Sequence, residues 1–186
     1  MFKKILYKVF ILIRKFIYFI LSDFSLSCNV LQPVLCFGFG NVKIHKTVTF
    51  GVVRSPGFFS GASYLDLREK GSYIEIGKYT VFNNNLKMIS DGKSIVIGEY
   101  CLFGYNFEVI DSDFHGLGKD DRRGNKSVAK KDVRIGNNVL VGNNVTVLKG
   151  VTIGDNSVIA NGSVVTRSVE SDVIVGGNPA KLIRKL

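Results

Sequence analysis

Residues Val133 to Ser168 read VRIGNN VLVGNN VTVLKG VTIGDN SVIANG SVVTRS. Aligned on one column, Ile135, Val141, Val147, Ile153, Ile159 and Val165 recur at every sixth position without a slip. A second column stands four residues after each: Val139, Val145, Val151, Ser157, Ser163 and Val169. A six-residue period is neither that of a helix nor that of an amphipathic strand. It fits short strands joined by corners, each strand turning one aliphatic side chain inward. Three hexapeptides close one triangular coil, and coils stack into a parallel β-helix. One coil cannot cover its own apolar faces, so neighbours must stack on it. Asn and Gly recur at the corners because they tolerate positive φ. The same step is present more weakly at Ile76, Phe82 and Met88, and at Ile97, Phe103 and Val109.

The register holds at Val109 and resumes at Ile135. The residues between, opening with VIDSDFHGLGKDDRRG (Val109 to Gly124), do not fit the coil wall and are expected to be extruded, over about 110–132. A long loop inside a compact repeat domain is usually functional or disordered. This one carries His115, one of 2 histidines in the chain, beside Asp111 and Asp113. The other, His45, lies in an imperfect early coil and reads as structural.

The rest of the composition narrows the classes. The 186 residues suit one domain with an appendage. Three cysteines, Cys28, Cys36 and Cys101, have no metal-type spacing, and their odd number argues against a disulfide framework. A reducing, cytoplasmic compartment fits, and no metal is expected. The net charge of +10 is uneven: Lys3, Lys4, Lys8, Arg14 and Lys15 precede any acid, and Lys119 to Arg134 is again basic. Such clusters suit an anionic partner, namely a phosphate-bearing cofactor or an anionic membrane. Nucleic acid is not expected, because the basic residues are not interleaved with aromatics in a binding module.

Residues 1–22, MFKKILYKVFILIRKFIYFILS, form a separate element. The five basic residues fall within one arc of a helix, and Phe, Ile, Leu and Tyr fill the remainder. Arg14 and Lys15 interrupt the apolar run, against both a signal peptide and a membrane span. Two readings remain: a helix in the membrane interface with its basic face toward anionic head groups, or a helix packed on its own domain or a partner subunit.

The repeats, followed by GGNPAKLIRKL (Gly176 to Leu186), resemble the hexapeptide-repeat acyltransferases. They are most similar to the branch of galactoside, maltose and surface-polysaccharide O-acetyltransferases. The resemblance covers roughly Ile74 to Leu186, and GNPAK is more specific than the repeats. It implies an all-β, left-handed parallel β-helix over residues 23–186, with a short C-terminal helix in the tail at about 172–186. It also implies a homotrimer, acetyl-CoA as co-substrate and transfer to a sugar or glycan hydroxyl. The left hand comes from the resemblance alone, since the general rule for parallel crossovers gives the other.

In the resembling enzymes such a loop begins with a catalytic histidine and reaches toward a groove between subunits. His115 occupies that place. A sugar hydroxyl needs a base that works near neutral pH, and imidazole suits the task. The base needs an orienting acceptor, for which Glu108, Asp111 and Asp113 are candidates, with Asp113 preferred. A glutamate used later in the loop by some relatives has no counterpart in GNKSVAKK (Gly124 to Lys131). By family position, the Gly142 N–H faces the acyl carbonyl as an oxyanion donor. Cofactor contacts carry over onto Gly142, Ala160, Thr166 and Arg167, and by charge Lys181 and Arg184 suit phosphates. Asn85 and Asp91 are the candidate acceptor contacts, although Asn83 to Asn85 also reads as a corner turn.

Other classes fit less well. Serine acetyltransferases carry a larger N-terminal helical domain. γ-Type carbonic anhydrases need three histidine ligands. A non-catalytic membrane-associated scaffold requires His115 to be dispensable.

Overall fold

The computed structural model describes residues 2–123 and 127–186, with side chains from residue 5 onward. Gly124 to Lys126, within the basic stretch noted above, lie outside the described residues.

The chain winds as a parallel β-helix with three faces. The first face stacks the strands Asn29–Val30, Thr49–Phe50, Val81–Phe82, Leu102–Phe103, Leu140–Val141, Val158–Ile159 and Val173–Gly177. The second stacks Val34–Gly38, Ser63–Leu67, Lys87–Ser90, Glu108–Ile110, Thr146–Val147 and Val164–Val165. The third stacks Asn41–Ile44, Tyr73–Ile76, Ser94–Ile97, Val133–Ile135 and Thr152–Ile153.

Every residue of the six-step column is buried, from Ile135 at 2% exposure to Val147 and Ile159 at 0%. The alternation follows from the pleat: neighbouring side chains on a strand point to opposite faces, so one goes inward and the next faces solvent. On the first face the inward ladder is aromatic, with Phe50, Phe82 and Phe103 in register. Their rings stack at 5.2 and 4.6 Å. Val141, Ile159 and Val175 continue the ladder with smaller side chains.

The two residues of each corner have separate duties. The first accepts a backbone N–H from the preceding coil: Asn137 from Glu99, Asn143 from Tyr105, and Asn161 from Asn143. The second adopts a left-handed backbone, as at Asn138, Asn144 and Asn156 (φ 54°, 54° and 61°). Its side chain bonds to its equivalent one coil away, as in Asn138 to Asn156 at 3.0 Å.

The ends were less legible. The tail is not a short helix: Val173–Gly177 continues the first face, and Ala180–Lys185 folds back antiparallel on it. Gly176, Gly177 and Pro179 cannot sustain a helix. The last coil also offers unpaired backbone groups along its edge, which a returning strand satisfies. An insertion over 51–62 separates the first and second faces of an early coil. It is pinned from below by Asn84, whose carboxamide accepts from Val52 N (2.9 Å) and donates to the Val52, Ser55 and Pro56 carbonyls.

The helix Phe2–Ile20 packs on this insertion and beside strand Val34–Gly38. Arg14 donates to the Phe58 (3.0 Å) and Gly61 carbonyls. The Tyr7 ring meets Phe59 edge-on at 5.0 Å. Among the described residues no helix is long and apolar enough to cross a membrane.

All three cysteines are unpaired. Burial pushes the Cys28 thiol up to about 11 and that of Cys36 up to about 12, and it raises Cys101 as well. At pH 8 the Cys36 thiolate fraction is therefore on the order of 10⁻⁴. Native protein treated with iodoacetamide at pH 8 should stay largely unmodified at Cys36 and Cys101, whereas denatured protein should take up three labels. Intact-mass measurement checks both, and rapid native labelling of Cys36 would contradict the packing.

Candidate active site

The extruded loop leaves the wall after Ile110 and returns at Val133. Its neck is built from polar residues at equivalent positions of successive coils. Asp111 is fully buried and accepts from Asp91 N (2.7 Å), Lys93 N (3.0 Å) and Ser90 Oγ (2.9 Å). Burial pushes its carboxyl above the ordinary carboxylate range, and these hydrogen bonds pull part of the way back. The Asp111 carbonyl accepts from Lys131 N, and Asp113 N donates to Ala129 O, closing the two sides together.

Asp91 belongs to the same neck. Its carboxylate accepts from Ser112 Oγ (2.8 Å) and pairs with Lys130 (3.1 Å), which also reaches Glu69 (2.9 Å). Ser112 Oγ in turn accepts from Phe114 N (2.9 Å). Phe114 holds a left-handed backbone (φ 59°), an unfavourable state for an aromatic residue, immediately before His115. The Arg68 guanidinium lies over the Phe114 ring at 4.5 Å and bonds Asp66 at 3.0 Å. Ser112, Lys130 and Arg68 were not anticipated from sequence. The available signal was the 21-residue offset of this coil, which aligns Ser90 with Asp111 and Asp91 with Ser112.

His115 itself is exposed at the head of the loop, and among the described residues its ring makes no hydrogen bond. Of the three candidate orienting acids, Asp111 is engaged as described. Glu108 stays in its strand near Lys87 (3.9 Å) and Thr146 (3.5 Å). Asp113 accepts from Lys149 Nζ (2.6 Å) through one oxygen, and its other oxygen is buried with no hydrogen-bond partner. His45 sits at a corner, with Nδ1 2.9 Å from Thr47 Oγ1.

Four of the six expected cofactor residues lie in two grooves. Gly142 and Ala160 line a shallow groove of about 530 Å³ on the first face, with Gly104 and the outward side chains of Leu102, Leu140 and Val158. Its floor is apolar and its walls are small, which fits a flexible pantetheine-like arm. The Gly142 N–H, however, donates to the Ile159 carbonyl (2.8 Å) as a rung of the coil ladder. It is not the free oxyanion donor expected from family position. Arg167 and Lys181 share a second groove of about 350 Å³ beside the C-terminal strand. Arg184, paired opposite Ile174, and Thr166 are exposed and do not line it.

Asn85 is bonded within its own chain. Its Oδ1 accepts from Gln32 Nε2 (3.1 Å), its N–H donates to Gln32 Oε1 (2.8 Å) and its Nδ2 donates to Tyr105 OH (3.3 Å). Gly57 and Gly61 pack so closely on it that a Cβ on Gly61 would lie 2.0 Å from its Oδ1. Asn85 holds the insertion down in a left-handed corner (φ 62°). Asp91 is likewise a strut of the loop neck rather than an open sugar contact.

The groove with Gly142 lies on the first face, and the loop with His115 departs after the second.

Comparison with known proteins follows the same lines. The model of the bacterial transferase hexapeptide (six repeats) matches residues 132–167. No curated protein matches the chain. A hexapeptide-repeat acetyltransferase of Vibrio cholerae O1 biovar eltor, solved with acetyl coenzyme A, is 31% identical. That similarity covers 80% of this chain and 72% of the other, with a TM-score of 0.61. The polySia-specific acetyltransferase NeuO is 29% identical over 84% of this chain and 68% of its own, with a TM-score of 0.66. A galactoside acetyltransferase in complex with coenzyme A matches 96% of this chain and 81% of its own at 22% identity and a TM-score of 0.54. That likeness concerns the fold alone.

Proposed function

The chain belongs to the hexapeptide-repeat acetyltransferases, and from that premise we propose that it moves the acetyl group of acetyl-CoA onto a hydroxyl of a sugar in a surface glycan, with His115 as general base. The observation that carries this reading is the rigid neck. Asp111, Asp91, Ser112 and Lys130 hold the loop so that it projects an exposed imidazole from an otherwise regular wall. The likeness to a polySia-specific acetyltransferase supports a glycan acceptor.

In this scheme the pantetheine arm lies along the small-residue groove of Gly104, Gly142 and Ala160, and Arg167 and Lys181 meet phosphate oxygens. Lys181 and Arg184 extend the basic character of that end. The neutral His115 ring takes the proton of the attacking hydroxyl as its oxygen bonds the thioester carbonyl carbon. The tetrahedral adduct then collapses with cleavage of the C–S bond. The imidazolium returns the proton to the departing thiolate, so free CoA thiol and the acetyl ester are produced. Asp113, two residues before His115 and paired through one oxygen with Lys149, is the acid proposed to orient the ring.

Because groove and loop lie on different faces, the scheme places the complete site between two copies in a homotrimer, where one subunit's loop meets its neighbour's groove. The test is a panel of monosaccharides, oligosaccharides and sialic acid polymers with acetyl-CoA, read by release of free thiol. Acceptor-dependent release with at least one glycan is the expected result. Transfer to serine or to amines alone would overturn the assignment.

A further inference from the structure

The N-terminal helix is docked by its polar side. The half-buried positions Tyr7, Ile11, Arg14, Lys15 and Tyr18 recur at helical spacing, and this stripe faces the domain. It runs through the arc that holds the basic residues. Arg14, clamped to two carbonyls of the 51–62 insertion, fixes the rotation of the helix. The apolar arc therefore points away from the protein. Ile5, Val9, Leu12, Ile13, Phe16 and Ile20 are between 45% and 64% exposed. A continuous apolar face of this kind on a water-soluble surface marks an interaction site.

We propose that this face docks on an anionic lipid bilayer, with the helix lying in the plane of the interface. Three observations favour lipid over a second copy of the chain. Residues 1–22 contain five basic residues and no acid, a charge that complements anionic head groups and gives a second copy of the same helix nothing to pair with. Lys8 is exposed and borders the apolar arc, where its ammonium group would reach head-group phosphates while its stem stays in contact with the acyl boundary. The helix is also too interrupted by charge to cross a bilayer, which leaves the in-plane arrangement. The orientation reverses the expectation of a basic face turned down onto lipid: the apolar arc enters the bilayer, and Lys8 lies at its margin. This inference stands apart from the acetyl-transfer reading, since it uses no residue of the loop or the grooves.

The test is co-sedimentation of the full chain with vesicles of phosphatidylcholine, alone or with 30% phosphatidylglycerol, at about 0.15 M and 0.5 M salt. Binding is expected to the anionic vesicles and to weaken with salt. The double variant Leu12→Glu, Phe16→Glu should bind at least about tenfold more weakly, with unchanged oligomeric state by light scattering. The variant Lys8→Gln, which keeps the apolar face, should lose about fivefold. Equal binding by the wild type and the glutamate variant would overturn the proposal. So would a change of oligomeric state in the glutamate variant without lipid, which would assign the face to a second copy.

Discussion

Replacing His115 with alanine should lower acetyl transfer by about 10²–10⁴-fold, the range over which a positioned general base contributes. The loss should appear in kcat, because the proposed base acts on the reacting hydroxyl rather than on the binding of either substrate. Stability should be untouched: the ring is exposed and, among the described residues, makes no hydrogen bond. The loop is held from its base by Asp111, Asp91 and Lys130, none of which touches position 115 in the hydrogen-bond network. The measurement pairs steady-state kinetics on the best glycan acceptor with a thermal melt. Turnover within threefold of wild type, with the melt unchanged, would remove His115 from the chemistry.

The second large effect is on stability. Phe82 is fully buried, and its ring is stacked between Phe50 and Phe103. Truncation to alanine removes contacts on both sides and leaves a cavity that a parallel stack cannot collapse without breaking coil register. A loss of about 3–5 kcal/mol is expected, or a fall in Tm on the order of 10 °C for a chain of this size. Tyr100 makes the useful contrast. It stacks on Tyr79 at 5.1 Å but is 52% exposed, so Tyr100→Ala should stay within about 1 kcal/mol. Equal melting shifts for the two variants would mean that the aromatic ladder does not carry the stability assigned to it.

The site was legible in unequal parts. His115 stood out because a strict period makes any interruption visible, and the interruption runs where the register indicated, from the end of the Glu108–Ile110 strand to Val133. The acids around it could not be ranked by position. Asp111 and Asp113 are two residues apart, yet one is sealed into a neck by three donors and the other keeps an oxygen free. That difference depends on Asp91, Lys93 and Lys149, which adjoin the loop only after the coils have stacked. Asn85 shows the same limit. Its family position suggested an acceptor contact, but an insertion supplied from elsewhere in the chain covers it.

What this sequence determined alone is the coil. Each aliphatic of the six-step column has one inward position, and burying it requires a neighbour above and below, so the fold follows from local spacing and the hydrophobic effect. The left-handed parallel β-helix is shared with the related acetyltransferases. Tertiary structure decided everything that lies off the period. The tail became a strand because the last coil presented an edge to pair with. The Gly142 N–H went into the ladder because Ile159 offers a carbonyl one coil on. The N-terminal helix turned its polar stripe inward because Arg14 found the Phe58 and Gly61 carbonyls. In each case the partner is distant in sequence, and a hydrogen bond between such groups becomes favourable only once burial has removed the competing water.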